Sequence, residues 1–386
     1  MKKDFFSSDF TLGILGGGQL GKMMLYETRK WDIATKVMDA STEAPCKVAC
    51  NEFVLGDLMD FDAVLAFGKN VDVLTIEIEN VNVDALEQLE DAGVTVYPPT
   101  KTLRTIQNKA TQKHFYTDHN IPTAEFARFA YASEIEDSLD NGGLEFPFVW
   151  KAAKFGYDGQ GVKVVRSKAD LAGLPPGECI AEKMIPFKNE LAVIVVRNPS
   201  GQVVSYPVVE MEFHPEANQV EYVICPARIS AEVAQKAQDI ALRVSEKMKH
   251  IGVLAVELFQ TEEDEILVNE VAPRPHNSGH YSIEASYTNQ FEQHIRAILD
   301  LPLGSTQSKL AGIMVNLVGA EGHTGNVVYE GMGAIMAMKG VTPHIYGKKQ
   351  TRPFRKMGHV TIVNQDIDLA RTVAQQVKET IKVVAS

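Results

Sequence analysis

The chain has 386 residues, 45% of them hydrophobic and 23% charged, and carries a formal net charge of −12. That length suits two or three domains with ample core. The acidic balance argues against a general nucleic-acid partner, which needs a positive surface, but leaves small anionic substrates open, because a few local cations suffice to bind them.

Met1–Phe10 has no apolar core of signal-peptide length, and no run approaches the roughly 18 apolar residues of a membrane span, so no membrane partner is expected. Cys46, Cys50, Cys179 and Cys225 form no paired framework, and Cys46 and Cys50 lack the second ligand pair of a zinc site. Reduced thiols in a cytoplasmic protein are the expectation.

Thr11–Leu15 reads as a strand that runs into Gly16-Gly17-Gly18-Gln19-Leu20-Gly21 and then a helical pattern through Lys30. Asp39 follows at the end of a second strand, Lys36–Met38, so the dinucleotide fingerprint is complete as usually written. Physically the pattern says only that backbone N–H groups at a helix N-terminus can approach an anion, and any phosphate would do. Val71–Ile78 predicts a buried strand between helices near Asp60–Phe67 and Val83–Asp91, and Thr95–Tyr97 another. Strands alternating with helices predict a parallel sheet with right-handed crossovers. Glu77 and Glu79 stand where ligand loops of such sheets lie. Glu79-Asn80 is the candidate contact, with Asn80 as a helix cap the alternative.

Pro98-Pro99 closes this first unit. Lys101–Asn120 predicts one basic helix whose cations Lys101, Arg104, Lys109 and Lys113 read most simply as a solvated face. From Glu125 the crossovers become less regular. Phe146–Ala153 is an apolar strand holding Lys151, costly to bury unless it meets an anion. The glycine-rich loop Lys154–Gly161 and the strand Val162–Val165 follow; the loop can fold over phosphates, and a plain β-turn accounts for it equally. Cys179–Ile185 is a strand, and Glu190–Arg197 with Gly201–Val209 a hairpin.

Ser230–Lys249 predicts the best helix in the chain, with apolar residues at helical spacing and Gly252 after it. Two apolar runs come next, Val253–Phe259 and Ile266–Val271, joined by the polar Gln260–Glu265. Read as a hairpin, they bring Glu257 and Glu270 side by side, with Asn269 adjacent. Two acids and an amide suit an oxygen-loving cation such as Mg²⁺, which keeps phosphate oxygens as further ligands. The segment Ala272–His280 supplies anion-binding donors at once. Asn289–Leu299 predicts a helix and Pro302–Gln307 a linker. Ala311–Val318 and His359–Val363 predict strands of a small third domain ending in a helix from Asp366 to about Ile381. Between them, Lys348–Lys356 puts five cations in nine residues on one loop.

GGGQLG, FGYDGQG, NEVAPRPHNSGH and RKMGH together resemble the N5-carboxyaminoimidazole ribonucleotide synthetase family of ATP-grasp ligases, over about Thr11 to Lys356. The resemblance implies a mixed α/β and α+β architecture in three domains: a parallel α/β pre-ATP-grasp domain at 1–108, an ATP-grasp domain at 109–304 and a small α/β domain at 305–386. It implies ATP and Mg²⁺ as cofactors, bicarbonate and 5-aminoimidazole ribonucleotide as substrates, a C–N bond formed by carboxylation, and a homodimer.

The same resemblance assigns residues. Lys109 and Lys151 would hold ATP phosphates under the loop Gly156-Tyr157-Asp158-Gly159-Gln160-Gly161-Val162. Glu182, Lys183, Met184 and Ile185 would read adenine, largely by backbone. Glu190 would take the ribose, and His214 would contact the nucleotide. Glu257 and Glu270 would hold Mg²⁺ with Asn269 beside them. Gln19, Leu20, Lys348 and Arg355 would grip the ribonucleotide phosphate, and Glu79 would contact the ribonucleotide. Arg274, Asn277, Ser278 and His280 would line the bicarbonate and acceptor pocket, closed by Tyr157 and Asp158. Asp158 would orient the acceptor amine or accept its proton. Gln160 stands where the family often has Lys or Arg. The rival from another class is a nicotinamide-dependent oxidoreductase built on Gly16–Gly21. It leaves the Glu257/Glu270 hairpin without a task.

Overall fold

A computed structural model describes residues 3–154, 161–214 and 219–386. The predicted strand Thr11–Leu15 forms the centre of a parallel five-stranded sheet. It pairs on one side with Ala34–Asp39 and on the other with Val73–Ile76. Glu52–Leu55 and Thr95–Val96 take the two edges. All four residues of Val73–Ile76 are buried, Thr75 included, as befits a parallel strand covered on both faces. The chain leaves the central strand where the sheet order reverses, so the glycine turn sits at the switch-point crevice. Asp60 and Asn82 cap the helices Phe61–Gly68 and Val83–Asp91 by accepting from Ala63 and Ala85 backbone N–H. The cap is therefore Asn82 rather than Asn80.

The predicted helix Lys101–Asn120 is two helices, Thr100–Ile106 and Lys109–Asp118. Two amides break it. Asn108 turns out of helical geometry and accepts from Thr111 N–H, while Gln107 donates to the Glu79 and Val81 carbonyls. The break sets Lys109 at the start of a new helix.

A four-stranded antiparallel sheet follows, in the order Phe126–Phe129, Cys179–Lys183, Phe148–Ala152, Val162–Val165. The largest sheet has nine strands among the described residues and starts with the hairpin Gly252–Thr261 and Ile266–Ala272. Helix Ala231–Met248 begins at the Ser230 cap and buries Val233, Ala237, Ala241 and Val244 against Leu254, Val256 and Leu258. Strand alternation then turns Glu257 to the opposite face of the sheet.

The strands expected to form a separate third unit continue this sheet. Ala311–Val318 pairs with Val220–Cys225, and Lys356–Asn364 pairs with Ala311–Val318. Helix Ile367–Thr380 covers them. The segment after Ile345 also reaches the first domain: Tyr346 packs in one core with Leu20 and Met23, and the Lys22 ammonium donates to the Ile345 and Tyr346 carbonyls. No described helix is long and apolar enough to cross a membrane.

Candidate active site

The hairpin register pairs Glu257 directly with Glu270 across the two strands. Two carboxylates this close cannot both ionise cheaply. Burial, and then Glu270 beside it, pushes Glu257 well above the usual carboxylate range. Glu270 is held low chiefly by the Lys109 ammonium, with which it forms an ion pair. It keeps 41% of its side chain open to solvent, so the pair can exchange partners. Lys151 lies in the same cleft, donating to Asn269 Oδ1 at 2.9 Å and pairing with Glu182 Oε2 at 2.9 Å. Glu190, on the strand next to Glu257, is pushed up to about 7 by burial.

These donors fit a hard cation. All are oxygens, and the two acids are near enough to repel each other without one. Among the described residues no cluster of three or more His, Cys, Asp or Glu side chains could hold a metal. A Mg²⁺ held by Glu257 and Glu270 would need substrate oxygens or water to complete its shell, as Mg²⁺ commonly does.

The glycine turn is arranged differently. Gly17 N–H donates to Asp39 Oδ2 at 2.7 Å, Gly18 N–H to Glu77 Oε1 at 3.0 Å and Gly21 N–H to Glu77 Oε2 at 3.1 Å. Burial raises Glu77 despite these bonds. Asp39 is therefore engaged with its own turn rather than set out as a ribose acceptor. Gln19 and Leu20 open the helix Gln19–Lys30 beside these amides, Gln19 half-buried and Leu20 buried.

Glu79 and Arg274 link the two regions. The guanidinium makes two contacts to the carboxylate, at 2.5 and 3.2 Å. Burial alone would raise Glu79, but Arg274 outweighs it and holds the carboxyl below its usual range. Past Arg274, His276 Nε2 stands 3.2 Å from Glu257 Oε1, and His276 Nδ1 meets Ser278 Oγ at 2.9 Å. Asn277 exchanges side-chain hydrogen bonds with Asn316. His280 is 1% exposed and receives the Gln290 amide on Nδ1; its ring lies tilted against His359, with centroids 4.7 Å apart. Burial pulls it well below the usual imidazole range, so in this structure His280 is a neutral buried support rather than a group on the cleft wall.

The basic loop also divides. Lys349 pairs with Glu43 of the first domain, Lys348 donates to the Lys356 carbonyl at 2.8 Å, and Arg355 donates to the Gln350 carbonyl at 2.6 Å. The loop thus lies against the first domain, on the side of the glycine turn. In the hinge segment Lys183 and Met184 are exposed and Ile185 half-buried. Val162 opens its strand, just past Gly161 at φ +76°. His214 packs edge-on to Phe354 at 6.0 Å and lines a cavity of about 160 Å³ with Asn316 and Val318. Gly156, Tyr157, Asp158, Gly159 and Gln160 lie outside the described residues.

Sequence reasoning passed over or misread five residues that the structure brings in. His276 and Lys356 sit inside recognised motifs, and the charges of both bear on the two hairpin acids. Asp39 and Glu77 are the turn's internal acceptors. Lys113, read as solvated, is buried: its four-residue spacing from Lys109 was the available signal.

Comparison with known proteins agrees with this fold. The ribonucleotide synthetase preATP-grasp domain matches residues 10–107, the ATP-grasp domain 114–291 and the phosphoribosylaminoimidazole carboxylase C-terminal domain 312–372. The N5-carboxyaminoimidazole ribonucleotide synthase of Bacillus subtilis is 37% identical over 374 residues, 95% of each chain. The chain belongs to the N5-carboxyaminoimidazole ribonucleotide synthase family. The Thermotoga maritima synthetase superposes with a TM-score of 0.88 at 40% identity, covering 98% of this chain and 100% of that one. The Aspergillus clavatus synthase, solved with ADP and 5-aminoimidazole ribonucleotide, gives 0.88 at 34% identity over 96% and 98%. The chain is thus an ATP-grasp ligase, and the oxidoreductase reading of the glycine turn falls.

Proposed function

We propose that this chain carboxylates 5-aminoimidazole ribonucleotide at the expense of ATP and bicarbonate, giving N5-carboxyaminoimidazole ribonucleotide, ADP and phosphate. The observation that carries the proposal is the Glu79–Arg274 pair, which sets the switch-point crevice of the first domain against the Glu257/Glu270 hairpin. A phosphorylated acceptor at the first and a nucleotide at the second would then face each other across Arg274.

ATP would lie between the hinge Glu182–Ile185 and the hairpin, with Glu190 at the ribose. Lys109 and Lys151 now rest on Glu270, Glu182 and Asn269, and would turn to the phosphates as these arrive. Bound Mg²⁺, held by Glu257 and Glu270, would neutralise charge on the phosphoryl group. A bicarbonate oxygen attacks the γ-phosphorus and the bond to ADP breaks, leaving carboxyphosphate. The acceptor amine then forms the C–N bond with the carboxyl carbon, directly or as CO₂, as phosphate departs and the amine loses a proton. Arg274 would position the bicarbonate, with Asn277 and Ser278 shaping the loop behind it. Tyr157 and Asp158 would close over the site and exclude water from the labile intermediate. Gln19, Leu20, Lys348 and Arg355 would hold the ribonucleotide phosphate.

The family also supports a homodimer working in the cytoplasm; sedimentation at working concentration checks the first. The reaction is tested by measuring ADP release with bicarbonate and aminoimidazole ribonucleotide each left out in turn. Release that needs both supports the proposal. Release indifferent to the ribonucleotide would overturn it.

A further inference from the structure

We propose that Lys113 is a positioning residue for the nucleotide site: it is the standing counter-ion of Glu182, and it frees Lys151 to leave that carboxylate for a phosphate. The inference rests on the reading that Lys151 and Glu182 line the ATP site, and goes on to a residue which that reading leaves out.

Lys113 is 2% exposed and Glu182 3%. Two ammonium groups share this one carboxylate, Lys113 on Oε1 at 3.2 Å and Lys151 on Oε2 at 2.9 Å. The two lysines differ in what else holds them. Lys151 has Asn269 Oδ1, an amide beside the metal hairpin. Lys113 has Thr123 Oγ1 at 2.6 Å, and Thr123 in turn donates to the Val268 carbonyl at 2.7 Å. Val268 N–H closes the clamp by donating to the Pro122 carbonyl at 2.8 Å. Lys113 is therefore fixed between its own helix and the hairpin strand, whereas Lys151 stands on the strand leading into the glycine-rich loop.

A buried carboxylate stripped of its only cation is strongly destabilised, because nothing repays its lost hydration. If Lys151 were the sole partner of Glu182, moving it to a phosphate would incur that penalty. With Lys113 in place the carboxylate stays paired when Lys151 turns away. The cluster as a whole carries an excess of positive charge, which favours an entering anion. Burial draws Lys113 down to about 8 against the upward pull of Glu182, as expected for an ammonium group short of negative partners.

The test is direct Mg-ATP binding, by calorimetry, to folded full-length variants, with the KM for aminoimidazole ribonucleotide as the control. Lys113→Met keeps the length and removes the charge. It should weaken ATP by about tenfold or more and leave the ribonucleotide KM within about twofold. In a Glu182→Gln background the same substitution should change ATP affinity by less than about twofold, since no carboxylate is left to orphan. Thr123→Val removes the clamp without removing a charge and should weaken ATP by about threefold, guarding against a Lys113→Met protein that does not fold. Unchanged ATP affinity in folded Lys113→Met would overturn the proposal. So would an equal loss for ATP and ribonucleotide that persists in the Glu182→Gln background, which marks a merely structural lysine. Absence of Mg-ATP binding by the wild-type chain would instead remove the nucleotide-site reading beneath it.

Discussion

At the glycine turn, the chain's own carboxylates meet fixed backbone amides; at the hairpin, they meet ammonium groups on long, movable side chains. Asp39 and Glu77 accept from Gly17, Gly18 and Gly21, and neither partner can move away without unfolding the turn. Glu270 and Glu182 accept from Lys109 and Lys151, which can rotate onto another anion. The first arrangement shapes a crevice. The second holds ammonium groups and carboxylates against one another, and in the proposed function a nucleotide and its metal would separate them. A glycine-rich signature thus marks a built turn here, and the exchangeable charges lie further along the chain, at Lys109, Lys151, Glu182 and Glu270.

The largest way to break this contrast is Glu270→Gln. Loss of a metal ligand and its charge should cut turnover by about a hundred- to a thousandfold while the protein still folds. A folded variant turning over at the wild-type rate would remove the hairpin from the chemistry. The matching change at the turn should act on stability. Gly16 has φ +99°, and a Cβ there would run into the Glu77 side chain. Gly16→Ala should cost about 2–4 kcal/mol in urea unfolding. Gly93, at φ +89° with nothing near its would-be Cβ, is the control, and Ala there should cost only about 1 kcal/mol. Equal costs at the two positions would deny the turn its packed acceptor.

Arg355→Ala sharpens the division of labour. One charge-assisted phosphate contact is worth roughly 1.5–3 kcal/mol, so the ribonucleotide KM should rise about ten- to a hundredfold. The ATP KM should stay within about twofold. Equal weakening of both would make the loop a support, and weakening of ATP alone would exchange the two phosphate sites. The smallest effect concerns the seam between the sheets. His294 accepts from Val253 N–H on Nδ1 and meets Thr75 of the first domain through Nε2. Burial pulls His294 and the nearby His250 down to about 3. Their folded values lie below the unfolded value of about 6.5, so their contribution is complete above that pH and drains away as pH falls toward 3. The slope is at most about 1.4 kcal/mol per pH unit for each imidazole. Melting temperature should therefore drop from pH 7 to pH 5, and less steeply in His294→Gln; a His294→Gln profile identical to the wild-type one would mean that His294 takes up its proton alike in the folded and unfolded chain.

Much of this was legible in the residues. Thr11–Leu15, Val162–Val165 and Ala311–Val318 are strands with the expected bounds, because apolar runs bounded by turn residues carry their own limits. The Glu257–Glu270 pairing followed from two runs and a polar turn. The break at Gln107-Asn108 did not, since it depends on carbonyls of Glu79 and Val81 that Gln107 finds only in the fold. Nor did the union of the third unit with the central sheet, because pairing of Val220–Cys225 with Ala311–Val318 joins strands about ninety residues apart. Lys113 was hidden for a similar reason: a lysine on a basic helix looks solvated until Glu182 and Thr123 arrive from elsewhere.

The most direct test of the contrast is a pair of calorimetric titrations on the wild-type protein, one with Mg-ATP and one with NADPH. Saturable Mg-ATP binding at one site per chain, with no NADPH binding at millimolar concentration, is the predicted result. Tight stoichiometric NADPH binding, lost when Gly18 is replaced by a bulky residue, would contradict it, because the turn's amides would then be open to a ligand after all.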